Sequence, residues 1–185
     1  VSMNLAAGAT GANAAFQSRP APVFPSLPLH LGGSVAWGLL MAACAFASLA
    51  MQGRAQTFHL AMILLIFFAG GVLAWIVALP MARLLTRRRS AETRFAAHFA
   101  LLSLGTIAAT AFLFAMDYRL FYAQWHHPFG TRIWAYQFVF TAVGAVYQFL
   151  VMGLRLYLPV GLPILAGASL WLARSMPPHM PPHMR

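Results

Sequence analysis

The stretch Thr57–Ala82 reads TFHLAMILLIFFAGGVLAWIVALPMA, with no Lys, Arg, Asp or Glu anywhere in it. An α-helix rises 1.5 Å per residue, so about 20 apolar residues cross a hydrocarbon core of about 30 Å. Three further stretches share the pattern at membrane-crossing length: Leu31–Met51, Phe95–Met116 and Ile133–Leu154. Inside lipid each has to be helical, because every backbone N–H and C=O must be satisfied within the segment. The expected fold is an all-α integral membrane protein. It is a bundle of four transmembrane helices with spans at about 31–51, 57–82, 95–116 and 133–154. A C-terminal apolar segment, 156–173, is either interfacial or a fifth span. It is uncharged, but Pro159, Gly161, Pro163 and Gly167 interrupt it.

This places a transmembrane domain at 31–174, between a Pro/Ala/Gly-rich tail at 1–30 and a Met/Pro/His tail at 175–185. The run Arg19–Pro28 carries four prolines and is expected to be extended. The tail at 1–30 contains no apolar core of the kind a signal peptide needs.

Composition narrows the function classes. Hydrophobic residues make up 61% and charged residues 8%, against about 25% charged in ordinary globular chains. The net charge of +10 sits in short loops between apolar stretches, which is a topology signal and argues against nucleic acid. All 12 basic residues are Arg, so Schiff-base chemistry is excluded. The two carboxylates, Glu92 and Asp117, fall at opposite ends of one span, so they do not form a catalytic pair. The single cysteine, Cys44, lies inside the first span and reads as a small buried thiol.

Charge also sets the expected orientation. The loop Arg83–Arg94 carries five Arg, whereas the loop after the first span carries only Arg54. The positive-inside rule puts the five-Arg loop and the N-terminus in the cytoplasm, most simply at a bacterial inner membrane. With four spans, Arg155, Arg174 and Arg185 join the cytoplasmic side.

Two polar stripes run along the last two spans. Gln137, Thr141, Gly144, Gln148 and Arg155 share one face of the fourth, flanked by Tyr136, Phe140 and Tyr147. Ser103, Thr106, Thr110 and Asp117 share one face of the third. Polar groups facing lipid are costly, so the stripes are expected to face each other. Interhelical hydrogen bonding is the economical reading, worth about 0.6 kcal/mol per pair. A polar pathway is the alternative.

The segment 117–132 is the densest in interaction chemistry. It offers Asp117, Arg119, Gln124, Trp125, His126, His127 and Arg132 to an anion, a quinone head group or a partner, with Asp117 paired to Arg119 or Arg132. Small residues of the first span, Ala36, Ala42, Ala43, Ala45, Ala47, Ser48 and Ala50, predict close helix packing. For a metal, the candidates are His59, His126, His127 and the repeat Met-Pro-Pro-His that ends in His179 and His183. Haem needs two axial ligands at matching depth, and thioether with imidazole suits copper.

These features predict a non-catalytic accessory, assembly or stabilising subunit of a larger membrane complex, with lipid and other membrane subunits as partners. A haem- or copper-handling redox protein and a small oligomeric transporter or channel are the alternatives. The expected cofactor state is none, with haem or copper following from the redox reading.

Overall fold

The computed structural model describes residues 27–87 and 89–175. Among the described residues five α-helices follow in order: α1 (Leu27–Met51), α2 (Leu60–Leu85), α3 (Ala91–Tyr122), α4 (Arg132–Gln148) and α5 (Gly161–Arg174). Four stretches are long and apolar enough to cross a membrane: His30–Met51, Leu60–Leu85, Ala91–Trp125 and Arg132–Tyr157. The described residues include no strand.

Local chemistry sets the helix ends. α1 begins at Leu27, inside the Pro-rich run rather than after it. Pro28 sits in the first turn, where its missing N–H has no intrahelical partner to lose. Gly53, at φ +69°, and Gly130, at φ +88°, take the left-handed conformations of the two turns at one end of the bundle. Ser90 caps α3 by accepting from the Thr93 N–H at 3.4 Å, and Thr131 caps α4 by accepting from the Trp134 N–H at 3.1 Å.

α2 packs between α1 and α3, and Gly70-Gly71 explains why. Successive helical residues point about 100° apart, so the two glycines face different neighbours. A Cβ on Gly71 would lie 2.9 Å from the Gly38 Cα of α1, and one on Gly70 would lie 2.9 Å from the Thr110 Cα of α3. Backbone contact on both sides is possible only without side chains there. The close approach of α1 is therefore made by Gly38, whereas Ala36, Ala43 and Ala50 are exposed. Trp37, Met41, Trp75, Leu79, Leu102, Leu165 and Leu172 form one core cluster. Ala45, Leu49, Phe67, Ala111, Phe149 and Leu156 form the other.

α3 is longer than its charge-free stretch. It runs 32 residues, about 48 Å, and continues through Asp117 to Tyr122. Aromatic stacking at helical spacing carries it on: Phe114 on Tyr118 at 6.4 Å and Tyr118 on Tyr122 at 4.5 Å. The first part of the expected loop 117–132 is thus helix, and a 3-10 turn at Ala123–Trp125 ends it.

The fourth apolar stretch is not one helix. α4 stops at Gln148, Phe149–Gly153 form a π-helical turn, and Leu154–Tyr157 form a 3-10 turn. The Phe149 ring lies over Gly153, 2.5 Å from where a Cβ would be, so this folding-over requires glycine. Leu158, held at φ −97° and ψ 148° before Pro159, leaves the helix, and the Leu158–Pro159 bond is cis. α5 then adds 14 residues, about 21 Å, short of a complete crossing.

Contacts fix where this broken segment lies. Phe138 meets Arg119, Phe149 meets Phe114, and Tyr157 meets Thr110. Leu165 and Leu172 then join the cluster of Leu79 and Leu102. α4, the break and α5 therefore descend α3 in a single direction, ending near the five-Arg loop.

Candidate functional site

The break walls two cavities. The smaller, about 230 Å³, lies between Trp37, Met41 and Thr106 on one side and Leu154, Tyr157 and Leu162 on the other. The larger, about 730 Å³, opens at the end of the bundle opposite the five-Arg loop. Its size falls within the range of about 300–1,000 Å³ typical of small-molecule sites.

The larger cavity is built in layers. Its floor is apolar: Phe149 packs against Phe67 at 6.3 Å and Phe114 at 6.1 Å, with Ile63, Ile66 and Leu156 around them. Its rim is polar, with Arg54 and His59 from the α1–α2 connection, Asp117 from α3, Gln148 from the end of α4, and Arg155 from the break. No ion pair is formed between Asp117 and a rim arginine among the described residues. Two guanidinium groups against one carboxylate leave the rim positive.

Arg155 reaches the rim because the helix breaks. The Ser48 hydroxyl donates to the Arg155 carbonyl at 3.4 Å and accepts from Gln52 Nε2 at 3.1 Å. Ser48 lies one turn before the end of α1. Arg155 therefore sits at the end of the bundle that carries Arg54 and Asp117, not at the five-Arg end expected from an unbroken helix.

The two polar stripes do not face each other. On α3, Thr106 accepts from Trp37 Nε1 of α1 at 3.1 Å, and Thr110 shares a 2.7 Å hydrogen bond with Tyr157. Ser103 donates back to the Ala100 carbonyl at 3.0 Å. On α4, Gln137 Oε1 accepts from the His127 N–H at 2.9 Å, and Thr141 pairs with His126 Nε2 at 3.3 Å. The α4 stripe thus holds the turn that precedes it. The physical reason is depth: α4 ends at the level of Phe114, before it reaches Thr110 and Thr106.

The loop residues are also redistributed. Asp117 turns to the cavity instead of pairing with Arg119, whose guanidinium lies 4.1 Å over the Phe138 ring. Gln124 donates to the Phe121 carbonyl at 3.1 Å, and Trp125 leans on Phe121 at 5.3 Å while staying 61% exposed. Arg132 is the exposed first residue of α4. On the cavity rim, Asp117, Gln148 and His59 belong to the residues singled out from sequence as sites, and Arg155 to the polar stripe of the fourth span. Arg54 and Tyr157 carry no sequence signal that separates them from ordinary loop and interface residues.

His59 stacks edge-on against Phe58 at 5.0 Å on the α1–α2 connection, and His126 and His127 lie on the α3–α4 turn. Among the described residues no group of three His, Cys, Asp or Glu converges on a point that a metal ion would occupy. His179 and His183 lie outside the described residues, as does most of the N-terminal tail.

One buried polar pair carries no signal in the sequence. At the five-Arg end, His98 is fully buried, and Arg94 is 5% exposed. His98 Nδ1 donates to the Arg94 carbonyl at 2.7 Å, one helical turn back. Comparison with known protein families, with curated proteins and with solved structures finds no match for the chain.

Proposed function

We propose that the chain is an integral membrane subunit, a non-catalytic accessory, assembly or stabilising component of a larger membrane complex, with α4 as its contact helix. The observation that carries this reading is the packing of α4. Only Ala145 of its 17 residues is buried, and α3 is the helix it packs on. The outward face presents Tyr136, Phe140, Val143 and Tyr147, each more than 60% exposed, around Gly144. A Cβ at Gly144 would meet nothing within 4 Å. Neither tyrosine hydroxyl has a hydrogen-bond partner among the described residues. A hydroxyl left unpaired in hydrocarbon costs several kcal/mol, and a second helix that reaches Gly144 closely removes that cost. A photoreactive residue at Val143 is expected to crosslink to a different polypeptide in native membranes. Crosslinks to lipid alone would sink the proposal.

The orientation belongs to the same reading. The five-Arg loop faces the cytoplasm of a bacterial inner membrane, and α4, the break and α5 together make one discontinuous fourth crossing. Reporter fusions after Ser90 and after Arg174 are then both cytoplasmic, and one at Phe129 is external. A cytoplasmic signal at Phe129 contradicts this topology.

A second reading, a small transporter, draws on one observation: the broken segment lines both cavities. Irregular backbone at membrane depth is a recurring feature of transporter binding sites. In a Cys44→Ala background, Leu162→Cys reacts with an impermeant thiol reagent from both sides in a transporter. In a subunit it reacts from neither or from one.

A further inference from the structure

We infer that the larger cavity holds an anionic phospholipid of the surrounding leaflet, its phosphate between Arg54 and Arg155 and one acyl chain over Phe67, Phe114 and Phe149. This rests on the membrane reading but not on the role of α4, whose outward face is elsewhere.

Three observations meet at this site. The rim is positive, and the side chains of Arg54 and Arg155 make no hydrogen bond or ion pair with the described residues. Guanidinium groups match phosphate oxygens by charge and by their forked donors. The floor beneath them is an aromatic and aliphatic surface, which suits a chain and not a second polar group. The cavity also lies near the end of α1 and the start of α2, at the level where a lipid head group meets the hydrocarbon. A neutral quinone satisfies the floor but leaves the positive rim unmatched. A partner helix satisfies the floor only if it brings a carboxylate to the rim.

The test uses the full chain in mild detergent, equilibrated with equimolar phosphatidylglycerol and phosphatidylcholine and washed. Retained lipid is read by mass spectrometry. The wild type is expected to retain phosphatidylglycerol preferentially. Arg54→Gln with Arg155→Gln, both at exposed positions, is expected to lower that preference about 30-fold, with helix content unchanged. Ile63→Trp, which fills the floor, is expected to lower retention of both lipids. Equal retention of both lipids by the wild type overturns the inference, as does an unchanged preference in the double arginine variant. Oleate retained in place of phosphatidylglycerol overturns the phospholipid source and assigns a free fatty acid. Failure of the Val143 crosslink affects only the proposed subunit role, since neither arginine lies on the outward face of α4.

Discussion

Helices α2 and α4 are both apolar, and they are used in opposite ways. α2 buries nine residues, including both glycines, Trp75 and Leu79, and touches α1 on one side and α3 on the other. α4 buries Ala145 alone and leans on α3. Lipid tails are as apolar as leucine, so apolarity by itself does not bring helices together. What distinguishes α2 is shape. Its small residues allow backbone contact, and dispersion contacts of about 0.1–0.2 kcal/mol per atom pair then accumulate. Gly144 offers α4 the same device, but no helix among the described residues fills the space beside it.

Matched substitutions test this contrast. The largest expected difference is between Gly70→Val and Gly144→Val. The first forces a side chain into Thr110 and is expected to destabilise the bundle by about 3 kcal/mol in a micellar unfolding titration. The second enters open space and is expected to change stability by less than about 0.5 kcal/mol. If Gly144→Val unfolds the isolated chain, α4 is packed more fully than this comparison allows. If it leaves the fold intact and releases a co-purifying subunit, the contrast is sharpened into function.

The next contrast is between Leu172→Ala and Val143→Ala. Leu172 has no exposed surface, and Val143 is 61% exposed. Truncating Leu172 opens a cavity beside Leu79 and Leu102, for an expected cost of about 2 kcal/mol in the same titration. Val143→Ala is expected to have no measurable effect. Equal costs at the two sites would mean that α5 is not docked on α3 with Leu172 in the cluster of Leu79 and Leu102.

The smallest effect concerns the polar stripes. Trp37→Phe with Thr106→Val removes both ends of one hydrogen bond, and the double-mutant coupling is expected near about 0.6 kcal/mol. Gln148→Leu with Thr110→Val is expected to be additive, because the two side chains belong to different layers. Coupling in the second pair would show that the α3 and α4 stripes meet after all.

The helical segments are legible in the sequence because their signal is local. Charge-free length is read residue by residue, whereas the caps at Ser90 and Thr131 and the turns at Gly53 and Gly130 are seen in the folded chain. The interruptions at Pro159 and Gly161 are legible too, but their consequence is not. An unbroken helix to residue 154 carries Arg155 to the wrong end of the bundle and aligns Gln148 with Thr110. The candidate site is partly visible for the same reason. Asp117, Gln148 and His59 stand out as polar groups beside apolar spans, whereas Arg54 and Arg155 matter only because folding brings them to one rim.

Apolar helices of membrane-crossing length follow from the order of residues alone, because hydrocarbon thickness and helical rise make them a counting problem. So does the place where charge collects, in the loop that starts at Arg83. Which faces meet is a property of the packed bundle. Gly70 and Gly71 send α2 against two neighbours, and the turn at 149–157 redirects the chain after α4. That turn sets the position of every residue that follows it, including Arg155 and Tyr157. Direction after a break depends on what the broken segment packs against, and for Phe149 those partners are Phe67 of α2 and Phe114 of α3, both remote from it in the chain.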